Sequence, residues 1–191
     1  AVIVMGAGLV HKELDKRTIY LILSKPVPRH QFILGKFLGM AHALFAIVAL
    51  MLVALELTLL VSRQGVDLVL LKAGLLTYVE LLVMTSIAVL FSAFSSTALS
   101  AVLTFSVYVV GHFTADLLAF AERFPSAFAR YVCQFMYYVI PDLELFNVRG
   151  LVVHGGDVSP DRMLAAVAYG LLYATGALAL SAAVFSKRDF K

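Results

Sequence analysis

KFLGMAHALFAIVALMLVALELTLLVS, Lys36 to Ser62, decides what kind of chain this is. Between its ends the only ionisable side chains are His42 and Glu56. Crossing a hydrocarbon core of roughly 30 Å takes about 20 mostly apolar residues, so this run crosses with some tilt. The turn signals of RQGVD, Arg63 to Asp67, close it. The whole chain agrees: it is 62% hydrophobic and 14% charged, with a mean hydropathy of +0.95, whereas soluble domains run at about 45 to 50% apolar and about 25% charged. The expected fold class is an all-α integral membrane protein, a polytopic helical bundle forming one transmembrane domain over residues 1–191. A soluble domain of normal size is excluded.

Working outward from residues 36–62, further spans are expected over 68–91, 98–120 and 163–185. Small, uncharged SAFSST, Ser92 to Thr97, makes a tight connection between the second and third. The opening AVIVMGAGLV, residues 1–10, is too short to cross and lacks an initiator Met, a charged leader and a cleavage site. It is expected to be the tail of a truncated span, so that four full spans follow it. A single cysteine, Cys133, leaves no internal disulfide and no Cys-rich metal site.

Orientation follows from Lys and Arg near the span ends, because cytoplasmic loops carry the excess. The segment 11–35 with the adjoining Lys36 holds Lys12, Lys16, Arg17, Lys25, Arg29 and Lys36 against Glu13 and Asp15, and is placed inside. Counting crossings then puts the tail 186–191, with Lys187, Arg188 and Lys191, inside as well. The loop 121–162 falls outside. It balances Glu122, Asp142, Glu144, Asp157 and Asp161 against Arg123, Arg130, Arg149 and Arg162. In it Phe124, Phe128, Tyr131, Phe135 and Tyr138 recur every three or four residues, one face of a helix. A short interfacial or re-entrant helix ending at Pro141 is expected, its rings either anchoring at headgroup level or lining the outer mouth of a pathway.

Polar residues inside spans cost roughly 2.5 to 3.5 kcal/mol at the bilayer centre and are functional candidates by default. Glu56 and Lys72, near the outer ends of neighbouring antiparallel spans, are expected to form a structural ion pair. Glu80 sits mid-span and must be protonated, paired or facing water; Tyr108, at matching depth, can donate to it. These two belong either to a translocation path or to an interhelical bond. His112 and Asp116, four apart on one helical face, suit a proton or metal site but fall short of a complete ligand set. His42 is read as a packing residue and His154 as solvated. Gly35-x-x-x-Gly39 permits close helix contact.

The inner loop has its own logic. Leu14, Ile19, Leu21, Ile22 and Leu23 among charges make a short amphipathic surface helix, and Pro26 disfavours helix at Lys25. Pro28 can then occupy the first position of the next helix, so Ser24 to Pro28 is a stiff elbow. The plainer reading is an anchor for anionic lipid, at about 1 kcal/mol per basic residue.

The runs E-x-x-x-x-T (Glu13 to Thr18), LSKPVPR (Leu23 to Arg29), LGKFLG (Leu34 to Gly39), IPDLELFNVR (Ile140 to Arg149) and VFSKRDF (Val184 to Phe190) together resemble the ABC transporter permeases of the ABC-2 type. Asp142 departs from that pattern, which commonly has Asn. The resemblance implies a six-span subunit, truncated here at its N-terminus, in a prokaryotic plasma (inner) membrane. Its loop between spans two and three is a coupling helix that docks on a separate ATPase. Residues Glu13, Arg17, Thr18, Ser24, Lys25, Pro26, Arg29 and Lys36 are the expected coupling set. No G-x-x-x-x-G-K-[ST] phosphate loop occurs in the sequence. ATP and Mg are therefore expected on the partner ATPase, with no cofactor in this chain. The remaining expected partners are a second permease copy or related permease and membrane lipid; no nucleic acid is expected. The implied function is ATP-driven transport, with export favoured by the resemblance. Two alternatives stay open: a membrane enzyme using Glu80, His112 and Asp116 on a lipid-like substrate, and a scaffold whose basic loop only binds lipid.

Overall fold

A computed structural model describes residues 29–62, 65, 67–114, 116, 117, 119, 127–148, 150, 156 and 158–186. Among them the structure is all helical: α1 (Arg29–Val61), α2 (Leu68–Ser92), α3 (Thr97–Gly111), α4 (Ala127–Val139), a 3-10 turn (Glu144–Phe146) and α5 (Pro160–Ser186). Three of these, α1, α2 and α5, are long and apolar enough to cross a membrane. In a medium without water every backbone polar group must be satisfied within the chain, and long apolar helices meet that demand. The chain is a multi-pass membrane protein.

Helix α1 starts seven residues earlier than the expected span. Its first turns carry Phe32, Ile33 and Phe37, which pack with Val89, Ala93, Leu178 and Phe185 into an apolar cluster where α1 begins and α2 and α5 end. Phe32 and Phe185 stack with centroids 5.9 Å apart. Packing thus extends the helix back to Arg29, and Lys36 reaches over the Phe32 ring at 4.6 Å instead of marking a boundary. Gly35 and Gly39 face open space; the close contact expected of that pair is not made among the described residues.

Helix α2 is the axis of the bundle, packing most extensively on α5, then on α1 and α3. Asp67 caps it by accepting from the Val69 amide at 2.9 Å. Residues Leu76, Val79, Val83, Met84 and Ile87 form the core with Leu143, Phe146, Val148, Val158 and Ala166. Gly170 makes the α2–α5 approach possible: a Cβ there would collide with Val79 and meet the Phe146 ring at 3.1 Å. Hydroxyls tie α2 to its neighbours: Tyr78 donates to the Ala41 carbonyl of α1 at 3.2 Å, and Ser181 of α5 donates to that of Val89 at 3.4 Å.

Two further elements differ from the sequence expectation. The segment expected to cross over 98–120 is helical from Thr97, capped by Ser96, but stops at Gly111. Helical geometry resumes at Thr114, Asp116, Leu117 and Ala119, with the Leu117 amide on the Phe113 carbonyl. At about 1.5 Å per residue, the fifteen residues of α3 span roughly 22 Å, short of the core. The second difference is in the loop expected outside. Pro141, Leu143, Phe146 and Val148 are buried, so the segment after α4 plugs the bundle. These two departures share a cause, because the Leu143 amide donates to the Gly111 carbonyl at 2.9 Å. The incoming segment takes over the bond that would have carried the helix forward.

The amphipathic helix expected before Pro141 is present as α4. Phe128, Tyr131, Phe135 and Tyr138 all lie exposed on it, and Tyr173 of α5 donates to the carbonyl of its last residue, Val139, at 2.9 Å.

Candidate functional site: a carboxylate and an imidazole at a helix break

Glu80 is the thirteenth of the 25 residues of α2, about 18 Å from either end at helical rise. It lies at the depth where an unpaired carboxylate is most costly. Helix α3 runs antiparallel beside it, so the break after Gly111 delivers His112 to the same level. His112 Nε2 stands 3.5 Å from Glu80 Oε1, with the two side chains 24% and 13% exposed. Tyr108, one turn back on α3, lies against the imidazole with ring centroids 4.6 Å apart, and its backbone carbonyl is 3.0 Å from His112 Nδ1.

The plug supplies the opposite wall. Phe146, Asn147 and Val148 join Ala73, Thr77, Glu80, Tyr108 and His112 around a cavity of about 100 Å³, room for several waters. The Asn147 amide donates to both Glu144 carboxylate oxygens at 3.1 and 3.2 Å. Just outward, Asp142 staples three elements. Its carboxylate accepts from the Thr114 hydroxyl at 2.7 Å and the Glu144 amide at 3.1 Å, while its own amide donates to the Tyr169 hydroxyl at 2.9 Å. Irregular backbone at membrane depth is tolerated where it is buried in protein or lines a wet cavity, and this plug does both.

Of the expected in-membrane residues, Glu80, Tyr108 and His112 are brought together, and the Glu80 contact runs to the imidazole. Asp116 is exposed one turn beyond and does not line the cavity. The ion pair expected of Glu56 and Lys72 is replaced by other partners. Glu56 Oε2 accepts from the Asp67 amide at 3.3 Å, closing the turn between α1 and α2, and its Oε1 is buried without a hydrogen bond among the described residues. Lys72 donates to the Val158 carbonyl at 3.2 Å. The antiparallel approach is real, but Glu56 turns to the amide of the residue that caps α2 and Lys72 to a carbonyl just ahead of α5. His42, expected as a packing residue, is exposed on α1, its Nδ1 2.9 Å from the Leu38 carbonyl of the same helix.

Among the expected coupling residues, Glu13, Arg17, Thr18, Ser24, Lys25 and Pro26 lie outside the described residues, as does His154. Arg29 opens α1 and Lys36 follows two turns later. Sequence reasoning missed Thr77, Phe146 and Asn147 as cavity walls. The signal was the apolar content of Leu143 to Val148, unusual for a loop in solvent.

A family model described as ABC-2 family transporter protein matches residues 1–190. The chain belongs to the ABC-2 family of transporter proteins. It is therefore a permease of the ABC transporter class, and the plugged, broken-helix bundle is the membrane architecture of that permease. Neither a curated protein nor a solved structure matches the permease.

Proposed function

We propose that the permease is the membrane-spanning half of an ATP-driven exporter in a prokaryotic plasma (inner) membrane. Its residues 11–35 couple it to a separate ATPase that binds ATP and Mg, and it works beside a second permease copy or a related one. The observation that carries this reading is the Glu80–His112 pair, which faces a cavity at mid-membrane depth in a chain of a transporter family. Costly polar groups at that depth mark transport paths by default. A helix interrupted beside them is the arrangement by which transporters build midplane sites.

Coupling needs a stiff lever. Proline fixes φ and cannot bend freely, so Pro26 and Pro28, which directly precede the 33 residues of α1 in the sequence, are assigned the role of passing a push at the inner surface to the cluster of Ile33, Val89, Leu178 and Phe185. Arg29 and Lys36 supply cations for the ATPase's acidic residues or for lipid phosphate. A membrane enzyme acting through Glu80, His112 and Asp116 is less well supported, because Asp116 is exposed and does not line the cavity. Coexpression with an ABC ATPase encoded beside it tests the reading. The ATPase is expected to copurify with the permease and to be lost when Lys25 and Arg29 are both changed to Glu; copurification unaffected by that reversal contradicts the coupling assignment.

A further inference from the structure

Helices α3 and α5 both pack on α2 and make no comparable contact with each other among the described residues, so a cleft runs between them with α2 as its floor. The plug fills the half of the cleft toward the start of α5. There Leu143 bonds to Gly111 of α3, and the Phe146 ring closes on Gly170 of α5. The filled half ends at Val139 and Ile140, where Tyr173 donates to the Val139 carbonyl at 2.9 Å. Beyond that bond, toward the end of α5, the cleft is open, with a volume of about 410 Å³. Its floor is Ile87, Leu90 and Phe91 of α2, its sides are Val107 of α3 and Leu180 of α5, and Ile140 is its ceiling. The Tyr173 hydroxyl is the polar side-chain group on these walls, and it is already bonded to Val139. A polar or charged occupant would find no partner there and would lose its water.

Depth and size narrow the apolar occupants to one. Helix α5 has 27 residues, about 40 Å at helical rise, so centred on a core of roughly 30 Å it overhangs by about 5 Å at each end. Leu180 and Tyr173 lie six and thirteen residues before its last residue, Ser186, about 9 and 20 Å along the axis. The open cleft therefore lies about 4 to 15 Å below one hydrocarbon boundary and ends at the midplane, the depth of the tails of a single leaflet. A helix of a second copy, about 10 Å across, would need roughly 800 Å³ over the same length, about twice the space present. An apolar cavity of about 150 Å³ holds the six carbons of benzene; by that ratio the cleft holds on the order of ten or more carbons, most of one acyl chain. Left empty, it would deprive Ile140 and the floor of contacts on one side.

We propose that this cleft binds one acyl chain of a membrane phospholipid from the leaflet in which α2 and α5 end, with the methyl end of the chain seated beneath Ile140. The chain completes the wall between α3 and α5 that the plug leaves open. A chain from the opposite leaflet is kept out by the plug itself, which occupies the other half of the same cleft. The inference needs only that the helices cross a membrane, so it stands or falls apart from the ATP-driven export reading.

Photolabelling tests it. The full-length permease is placed in phosphatidylcholine nanodiscs containing a small share of phosphatidylcholine that carries a diazirine either at the last carbon of one chain or next to its ester. After illumination the labelled residues are read by peptide mass spectrometry. The last-carbon probe is expected to label Ile140 and Val107, and the ester-side probe to spare both. Gly176→Phe adds its ring in open space on the cleft wall. It is expected to abolish labelling of Ile140 while Leu50, exposed on α1, keeps its label from the last-carbon probe. Ile140 labelled equally in wild type and Gly176→Phe, Ile140 labelled as strongly by the ester-side probe, or Ile140 unlabelled while Leu50 is labelled overturns the inference. The last result, joined to a disulfide between copies carrying Leu180→Cys, would assign the cleft to a second permease. Should Gly176→Phe fail to fold, the contrast between the two probes in wild type decides.

Discussion

The Leu143 amide donates to the Gly111 carbonyl at 2.9 Å, and that bond joins the end of α3 to the buried segment that follows α4. A Cβ on Gly111 would stand 2.8 Å from Leu143 Cγ and 2.9 Å from the Pro141 carbonyl oxygen. The break in α3, the insertion of the plug and the level of His112 all depend on this close approach.

Gly111→Ala is therefore expected to destabilise the permease by about 1 to 3 kcal/mol, the usual cost of overpacking. Thermal unfolding in nanodiscs reads it. Gly35→Ala, which adds its methyl in open space, is expected to leave the midpoint unchanged or slightly raised, and a Gly111→Ala midpoint equal to wild type would mean that the plug is not seated as described.

Tyr169→Phe removes the acceptor of the Asp142 amide without changing ring packing on Phe146. A buried donor left unpaired costs about 1 to 3 kcal/mol. The expected outcome is a lower unfolding midpoint with faster hydrogen exchange at residues 141–148, read by mass spectrometry. Exchange that stays at the wild-type rate would remove the staple role from Tyr169.

Asp142 stands where the family pattern commonly has Asn, and its geometry explains why both fit. One oxygen, Oδ1, accepts from Thr114 and from the Glu144 amide; an Asn oxygen can accept the same two bonds. Asp142→Asn is expected to lose at most about 1 kcal/mol, the difference between charged and neutral acceptors, and Asp142→Ala distinctly more. Equal losses for the two variants in chemical unfolding would show that the bonds to Thr114 and Glu144 carry no weight.

Much of this was legible in the sequence. Long, mostly apolar runs give α1, α2 and α5 because length and hydropathy alone fix a crossing, and the ring spacing from Phe128 to Tyr138 gives α4. Mid-span Glu80 announces itself by its cost. The sequence does not show the α3 break, because Tyr108 to Asp116 reads as continuous helix and the competing donor, Leu143, lies far along the chain. The same non-locality hid Asn147 and Phe146 as cavity walls and redirected Glu56 and Lys72 to backbone partners. Sequence reasoning ranks faces and lengths well; it cannot see which distant amide will claim a carbonyl.

The most direct test of the account is the ATP hydrolysis rate of the assembled complex in nanodiscs, wild type against Arg29→Glu, with Asp161→Asn at the exposed start of α5, the opposite end of the bundle from Arg29 by the alternation of helices, as control. Hydrolysis stimulated by the permease is expected to fall toward the rate of the isolated ATPase in Arg29→Glu and to stay at the wild-type level in Asp161→Asn. Full stimulation and normal assembly with Arg29→Glu would contradict the account, because the basic loop would then be a lipid anchor and not the surface on which an ATPase pushes.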